Sequence, residues 1–502
     1  MKGSLKGFAK FTSVALLGCM VASAEGYDDE DKKKFFNFKG SLESFTKVGF
    51  NNASVGTTNG QYPTESFTTI MGLLDTTYDV NLYIPGGIFS KFEFGLGAAA
   101  AGLVWDSSKY DGYTGTGGTN NHFNGSGINN NYIGAYFGPT ANGTSGSGKF
   151  SENRYIIVHN AYLDLETELG GVTYGFRGGR YASKMEYHTG YTQGFEFTAA
   201  FGYGDTEYNP ANMVKFMWFS SFGRGFPYSQ YLLDFYFPKT TKTSSGREVN
   251  LGIHAFVTDI SYGGPEENDE GYKVGYTILA RPFLYFYPGL YEASGLKLVY
   301  ENHFGNGMAF KVTGQGYLLH VTRPFTTATN GSNKRYDETV DELSGNLNLI
   351  GQFFIDNYNV RLGYYQNFGS ANSHFGTYGN PMGFDFWTTS IYDIGGAVSD
   401  IINRNALSFY LSGGGDYDFS FGKLSWEVLG RITRSPRSDE ESVALFVSHT
   451  FKNNIALGMK VEWLRDTTKT GYNPGANLGG SALKSTRVDD RSHAYGTFAY
   501  YF

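Results

Sequence analysis

Apolar and polar residues alternate along many stretches of this chain. In residues 36–50 the even-numbered positions are mostly phenylalanine, leucine and valine, whereas the odd-numbered positions are mostly polar or charged. The same alternation appears in residues 78–84, 92–96 and 455–463. Because neighbouring side chains of a β-strand point to opposite faces, each stretch predicts a strand with one apolar and one wet face.

The connections between these strands fall into two length classes. Short connections are predicted at 85–87, 169–171, 304–306, 356–358, 421–423 and 452–454. Long connections, rich in Gly, Asn, Ser and Thr, are predicted at 106–153, 183–210, 322–344, 369–403 and 467–489. Short turns at one end and long loops at the other are typical of outer-membrane barrels. We therefore predict an all-β fold, a transmembrane antiparallel β-barrel of about 18 strands (roughly 16–18), with short periplasmic turns and long extracellular loops.

A soluble β-sandwich or solenoid also has alternating strands, and composition separates the two possibilities. The apolar positions are rich in Phe, Tyr and Trp, and the other positions carry Lys, Glu, Arg and Asp in the middle of strands. Burying those charges in a sandwich core is costly unless they are paired, whereas a water-filled lumen accepts them. Charged residues make up 17% of the chain, below the ~25% of ordinary soluble domains. These observations favour the barrel.

The N-terminus resembles an export signal. Three lysines and no acid in residues 1–10 precede an apolar stretch, and a cleavage site of the A-x-A type ends at Ala24, before Glu25. We predict that a signal peptide, residues 1–24, is removed and that the protein leaves the cytoplasm. A second interpretation stays open, because residues 16–19 resemble the lipobox of bacterial lipoproteins, in which Cys19 would be acylated.

Removal of the signal peptide leaves a short charged segment, residues 25–34, and the predicted barrel, residues 35–502. The signal peptide contains three lysines and no acid, so the formal net charge changes from −7 to −10. An acidic mature chain argues against a nucleic-acid partner. Without Cys19 the mature chain has no cysteine, and neither a disulfide framework nor a thiol site is expected.

The chain ends on alternating aromatic residues, Phe498, Tyr500 and Phe502. We expect them to face lipid on the last strand, which has to pair with the first strand so that the sheet has no open edge in the membrane. This ending also resembles the C-terminal signal by which Gram-negative outer-membrane proteins are recognised for insertion. That resemblance implies the barrel-assembly machinery as a partner.

Several hairpins resemble known outer-membrane proteins. Residues 160–181 (NAYLDLETELGGVTYGFRGGRY) resemble a hairpin of general and specific porins. Residues 213–226 (MVKFMWFSSFGRGF) and 448–463 (SHTFKNNIALGMKVEW) are similar to the Hof-type outer-membrane proteins of Helicobacter-like bacteria. The resemblance implies a porin-like, single-chain barrel, with outer-membrane lipid and lipopolysaccharide around it and small hydrophilic solutes or ions inside. It leaves open which solute permeates and whether barrels associate as a homotrimer.

Two arginines lie where we expect the narrowest part of a channel. Arg177 has the parity of a lumen residue, and Arg180 follows a Gly-Gly step at which a bulge can shift the register. We predict that both line the channel and that residues 183–210 fold inward as a constriction loop. The charged residues of this loop expected opposite the arginines are Lys184, Glu186 and Glu196. Opposed rows of charge would set a transverse field that selects solutes by charge and size.

Strand parity predicts further charges that face the lumen. They are Lys39, Glu43, Lys47, Lys91, Glu93, Lys215, Lys311, Arg361, Glu427, Arg431, Lys460 and Glu462. Lysine and arginine dominate this set, whereas much of the acid lies in the loops and in the N-terminal segment. The sequence therefore leaves open whether anions or cations pass more easily.

No enzymatic activity and no cofactor are predicted. The nine histidines show no metal-ligand spacing. Residues 143–149 nearly spell a phosphate-binding loop, but Phe150 stands where a magnesium-binding Ser or Thr is needed. The main prediction is a porin for passive diffusion of small hydrophilic solutes. The alternative is a surface adhesin or ligand-binding barrel that acts through long loops such as 114–131 and 327–339.

Overall fold

Eighteen long strands form one closed antiparallel sheet. The computed structural model describes residues 35–51, 64, 66–83, 87–106, 133–135, 154–204, 212–236, 241–242, 244–245, 247–322, 341–370, 401, 403–472 and 482–502. The barrel strands are β1 (Phe36–Gly49), β2 (Phe67–Asp79), β3 (Lys91–Asp106), β4 (Ile156–Leu169), β5 (Val172–Ala182), β6 (Tyr191–Gly202), β7 (Met213–Tyr228), β8 (Ile253–Gly263), β9 (Lys273–Tyr287), β10 (Tyr291–Phe304), β11 (Met308–Val321), β12 (Leu343–Ile355), β13 (Tyr358–Phe368), β14 (Leu407–Phe419), β15 (Gly422–Arg434), β16 (Ser438–Phe451), β17 (Ile455–Thr468) and β18 (His493–Tyr501).

Each strand pairs with the next one along the chain, and the last strand pairs with the first. The register between β1 and β18 runs from Ser41 opposite Tyr501 to Gly49 opposite His493. Beyond it, the backbone N–H groups of Gly40 and Phe502 each donate to the carbonyl of the other, at 2.8 and 3.0 Å. This closure leaves the sheet without an open edge. The antiparallel barrel and its strand number are therefore confirmed.

Shorter elements lie in the connections. They are the 3₁₀ helix Val80–Tyr83 and the short strands Ile133–Ala135, Tyr231–Tyr236, Thr241–Lys242, Glu248–Val249, Glu266–Glu267 and Arg487–Asp490. The strand expected over 78–84 is wrong beyond Asp79, because the Asp79 carboxylate accepts a hydrogen bond from the Asn81 backbone N–H at 3.1 Å and closes a turn. In the part of the chain described above, no helix has the length and apolar character needed to cross a membrane.

The outer surface of the barrel is apolar. Along β17, for example, Leu457, Met459, Val461 and Trp463 alternate and are 38–49% exposed. The residues between them point to the inside of the closed sheet. This arrangement explains why the chain combines many aromatic residues with polar alternation: the apolar face meets lipid and the polar face meets the lumen.

The connections separate the barrel into two rims. The turn rim is formed by the start of β1, the end of β18 and the strand ends at which β2 is followed by β3, β4 by β5, β6 by β7, β8 by β9, β10 by β11, β12 by β13, β14 by β15 and β16 by β17. The loop rim is formed by the strand ends at which β1 is followed by β2, β3 by β4, β5 by β6, β7 by β8, β9 by β10, β11 by β12, β13 by β14, β15 by β16 and β17 by β18. The expected asymmetry is present, although the loop rim also has short connections, such as 288–290.

Candidate functional site

A β-hairpin from the loop rim folds into the barrel. The end of β7 turns back and pairs with the short strand that follows it, and we call residues 222–236 the inward hairpin. Leu232 is fully buried in a cluster that includes Phe67 of β2. The Thr69 Oγ1 of the same strand donates to the Ser229 carbonyl oxygen at 2.5 Å. The inward hairpin therefore spans the lumen from β7 to the wall that contains β2.

The connection between β5 and β6 also folds inward, and we call residues 183–190 the inward loop. Its Tyr187 is 2% exposed. The Tyr187 ring lies 5.3 Å from the ring of Tyr317 on β11 and 5.4 Å from that of Phe283 on β9, measured between centroids. Met185 belongs to the same buried cluster. The inward loop therefore packs against strands that are not its neighbours in the sheet.

A carboxylate fixes the inward loop to the inner face of β8–β11. Glu186 accepts hydrogen bonds from Lys297 Nζ on β10 and, at 3.0 Å, from Gln315 Nε2 on β11. It also forms an ion pair with Arg281 of β9, with an N–O distance of 3.2 Å. Arg281 in turn donates to Asp259 of β8 at 2.5 Å. This network holds the inward loop across the lumen face of four strands.

The inward loop and the inward hairpin contact each other where they cross. Arg224 Nε of the hairpin region donates to the Thr189 carbonyl oxygen at 2.7 Å. His188 Nε2 lies 2.9 Å from Ser221 Oγ, and both residues are buried. Burial lowers the pKa of His188 well below its ordinary value, so the imidazole is neutral at pH 7. The two inward segments therefore form one unit inside the barrel.

The inward loop is shorter than the sequence indicated. The predicted span of 183–210 is wrong, because Tyr191–Gly202 forms β6 and pairs with β5 and β7. The alternation of Phe195, Phe197 and Phe201 with polar or small residues was the signal for this strand. Within the described part of the predicted span, the segment that folds inward is 183–190.

One part of the lumen wall carries charges that water can reach, and we call β3–β11 the hydrated wall. Lys91 and Arg177 both bind the carboxylate of Asp164, with Lys91 Nζ at 2.8 Å and Arg177 Nε at 3.0 Å. Lys311 binds Glu301 at 3.2 Å. These five side chains are 12–38% exposed. Positive and negative groups therefore alternate along a solvated surface.

A second part of the lumen wall has ion pairs that are almost inaccessible, and we call β13–β17 the buried wall. Three ion pairs in the middle of these strands have side chains that are only 1–10% exposed, whereas the pair of Lys423 and Asp416 near the turn rim is 52% and 26% exposed. The pairs and their N–O distances are Arg361–Glu427 at 3.0 Å, Arg431–Glu440 at 2.7 Å and Lys460–Glu462 at 2.6 Å. Each cation has a carboxylate within contact distance, as buried charges require. These charges therefore belong to packed structure.

The residues expected to face the lumen are distributed over both walls. The hydrated wall contains Lys91, Glu93, Arg177, Glu196, Lys215 and Lys311, and β1 with the buried wall contains Glu43, Lys47, Arg361, Glu427, Arg431, Lys460 and Glu462. Lys184 and Glu186 lie on the inward loop, and Lys39 is exposed near the turn rim. Their role as pore-lining residues stays a prediction.

Two expectations about the arginines differ from the structure. Glu196 does not lie opposite Arg177 across the lumen, because the two residues are direct neighbours in the β5–β6 register. Arg180 packs against the inward hairpin, with its guanidinium 4.3 Å from the ring of Phe235, and it donates to Gln193 Oε1 at 2.9 Å. Arg177 and Arg180 therefore have different surroundings, and the described residues do not form two opposed rows of charge at these arginines.

Several lumen carboxylates were missed. Asp164, Asp259, Glu301 and Glu440 each bind a cation on the inner face. A signal was available for Asp164, which alternates with leucine in residues 163–165.

The C-terminal aromatic residues lie on the outer face. Phe498, Tyr500 and Phe502 are 40–46% exposed, and Phe38 of β1 packs against Phe502 with ring centroids 6.1 Å apart. The last strand therefore presents an apolar surface to lipid next to the closure of the barrel.

Other predictions fall outside the described residues. These are the signal peptide 1–24 with its Ala24–Glu25 cleavage site, the Cys19 lipobox, the charged segment 25–34, the phosphate-loop-like residues 143–150 and the loops 114–131 and 327–339. They stay predictions.

A closed barrel of 18 antiparallel strands with an apolar outer face and a polar inner face is the architecture of an integral outer-membrane protein. A family described as "Putative outer membrane protein" matches residues 15–502. The chain belongs to this family of outer-membrane proteins. The resemblance to Hof-type proteins and the outer-membrane location are thereby confirmed.

Three solved structures with the same fold come from Acinetobacter baumannii and Pseudomonas aeruginosa. OccAB1 of Acinetobacter baumannii has a TM-score of 0.54 and 12% sequence identity, with 95% of this chain and 99% of that chain covered. OccAB3 of the same organism has a TM-score of 0.53, 10% identity and coverages of 93% and 99%. OccK9 (OpdG) of Pseudomonas aeruginosa has a TM-score of 0.52, 10% identity and coverages of 94% and 100%. A search of curated proteins found no significant match. At these identities the likeness concerns the fold alone.

Proposed function

We propose that the protein is a porin, a non-enzymatic channel for passive diffusion of small hydrophilic solutes through the outer membrane. The observation that carries the proposal is the hydrated wall. Charges such as Lys91, Arg177 and Lys311 are 25–38% exposed on the inner face of a closed barrel. Charged side chains on an inner face are inexpensive only where water reaches them, and water that fills a lumen is a path for solutes.

The proposal assigns the constriction to the inward loop and the inward hairpin. Both leave the loop rim and pack against distant strands, so they reduce the cross-section of the lumen. Arg177 lies on the hydrated wall in the same strand from which the inward loop departs. Charged groups at a narrow point of a water-filled pore select solutes by charge and size.

A planar lipid bilayer tests the proposal. We expect the purified, folded barrel to produce stable single-channel steps under an applied voltage. A folded barrel, recognised by its heat-modifiable mobility in SDS gels, that gives no steps would contradict the porin function. The adhesin or ligand-binding alternative would then be favoured.

Ion selectivity tests the assignment of the constriction. Replacing Arg177 and Arg180 by glutamine removes two positive charges near the inward segments, so we expect the reversal potential in a salt gradient to move toward cation preference. Arg434→Gln is a matched control, because Arg434 lies at the loop rim in an exposed pair with Glu441. A reversal potential unchanged by the double replacement would contradict the role of the arginines.

The proposal includes the surroundings of the barrel. Lipopolysaccharide is the expected lipid neighbour, and the barrel-assembly machinery is the expected insertion partner, which the exposed Phe498, Tyr500 and Phe502 support. Association of three barrels is a further part of the proposal, and chemical crosslinking of the protein in native membranes tests it.

A further inference from the structure

Three charged side chains beside the constriction lack a counterion in contact. Within the described ranges, no ion pair and no hydrogen bond reaches the carboxylate of Glu196 or the ammonium groups of Lys184 and Lys215. The neighbouring cation Arg177 differs, because Asp164 already occupies it. Charges of both signs are thus available on one part of the hydrated wall.

The three groups follow one another along the barrel axis. Glu196 is central, on β6. Ala200 lies on β6, four residues from Glu196 toward the turn rim, or about 13 Å along the strand. Lys215 of β7 lies opposite Ala200 in the strand register. Lys184 lies on the inward loop, toward the loop rim, and both lysines interact electrostatically with Glu196. The order is therefore positive, negative, positive.

Solutes have access to all three groups. Lys184 is exposed, and Glu196 and Lys215 are half-buried. The strand positions of Glu196 and Lys215 are offset by ~13 Å along the barrel, and no ion pair joins their charged groups within the described residues. A solute of amino-acid or dipeptide size can extend along this offset, because one residue spans at most about 3.6 Å.

We infer that Lys184, Glu196 and Lys215 form a binding site for zwitterionic solutes of amino-acid to dipeptide size. The solute ammonium binds Glu196, and the solute carboxylate binds Lys215 or Lys184. The inference rests on the proposed porin function. An anion at either lysine is repelled by Glu196, and a cation at Glu196 is repelled by both lysines and by Arg177, its cross-strand neighbour. Only a solute with both charges finds attraction at both ends.

The test uses four probes with similar backbones. Glycylglycine carries both charges, N-acetylglycinamide carries none, glycylglycinamide is a cation and N-acetylglycine is an anion at pH 7. Each is added to single channels in a planar bilayer, and the concentration that halves the potassium chloride current is measured. Glycylglycine should block at a concentration about threefold to fivefold lower than N-acetylglycinamide, the range expected for one partly exposed ion pair.

Variants assign the effect to the site. E196Q and K215Q should each raise the half-blocking concentration of glycylglycine about threefold to fivefold and leave that of N-acetylglycinamide unchanged. E301Q and K311Q are matched controls, because they remove the same charges from the same wall within a pair that is already satisfied. They should not change the block by glycylglycine.

The outcomes separate the site from the channel. Equal block by glycylglycine and N-acetylglycinamide in the conducting wild-type channel would overturn the zwitterion site and leave the porin function intact. Equal losses in the E196Q and E301Q channels would also overturn it, since the effect would then come from overall charge. A folded wild-type barrel without conductance would overturn the porin function, and the inference with it.

Discussion

The hydrated wall and the buried wall contain the same residue types in the same strand pattern, yet their charges have different surroundings. Lys311 and Glu301 on the hydrated wall are 25% and 31% exposed, whereas Arg431 and Glu440 on the buried wall are 2% and 4% exposed. The N–O distance is within hydrogen-bonding range in both pairs, 3.2 Å for Lys311–Glu301 and 2.7 Å for Arg431–Glu440. Exposure, and not pairing, distinguishes these two pairs.

The difference shows that facing the lumen and lining a water-filled path are separate properties. Water screens a solvated pair, which therefore contributes little to stability. In an ion pair that water does not reach, the attraction between the two charges is not screened, and removing one partner leaves the other charge uncompensated. We therefore expect substitutions on the buried wall to affect folding and substitutions on the hydrated wall to affect transport.

The largest effect is expected on the buried wall. Arg431→Met removes the cation that binds Glu440 and leaves a carboxylate that is 4% exposed. Breaking such a pair costs about 3–5 kcal/mol. Urea unfolding of the purified barrel, followed by tryptophan fluorescence, should show this loss in the free energy of unfolding.

A double variant separates loss of charge from loss of packing. In Arg431→Met/Glu440→Leu both charges are replaced by apolar groups, so most of the stability lost in the single variant should return. A single variant that loses less than about 1 kcal/mol would mean that the pair behaves as a solvated one, and the distinction between the walls would fail at this position.

An intermediate effect is expected where the inward loop meets the hydrated wall. Glu186→Gln removes the negative charge held by Lys297, Arg281 and Gln315. Hydrogen bonds to charged groups contribute about 1.5–3 kcal/mol, so the loop should leave its position more often. We expect larger and noisier single-channel currents and faster tryptic cleavage after Lys184, with the free energy of barrel unfolding little changed.

Glu166→Gln is the matched control for the loop variant. Glu166 is an acidic residue of β4 near the turn rim that accepts a hydrogen bond from Ser90 at 3.1 Å, whereas the inward loop leaves the barrel wall at the opposite, loop rim. Its replacement should leave current noise and cleavage after Lys184 as in the wild type. Identical currents in the wild type and Glu186→Gln would contradict the view that this carboxylate fixes the constriction.

Strand periodicity predicts the barrel because the membrane imposes it along the whole chain. In β17, Met459 and Trp463 must face lipid, and Lys460 must face the lumen. The alternation of apolar and polar positions is therefore enough to predict the direction of these side chains. The closure at Phe502 follows from the same requirement, since an unpaired edge is not tolerated in lipid. Local sequence therefore contains most of the fold.

The interior is less predictable because it depends on contacts between residues distant in the sequence. Nothing near Glu186 indicates that its partners are Lys297, Arg281 and Gln315, more than 90 positions later. Parity also treats Lys311 and Arg431 alike, although only the folded interior determines which of them water reaches. The extent of the inward loop was misjudged because its glycine- and tyrosine-rich sequence continues into β6.

The smallest effect on stability, and the sharpest comparison, is expected for Lys311→Met. This variant breaks a pair of the hydrated wall by the same type of change as Arg431→Met. Solvated pairs contribute about 0.2–1 kcal/mol, so urea unfolding should be almost unchanged. Glu301, released from Lys311, should instead move the reversal potential toward cation preference, because a solvated carboxylate attracts cations from the lumen. Arg431→Met, refolded under stabilising conditions, should leave the reversal potential unchanged. Equal destabilisation by the two variants would show that water does not distinguish the two walls.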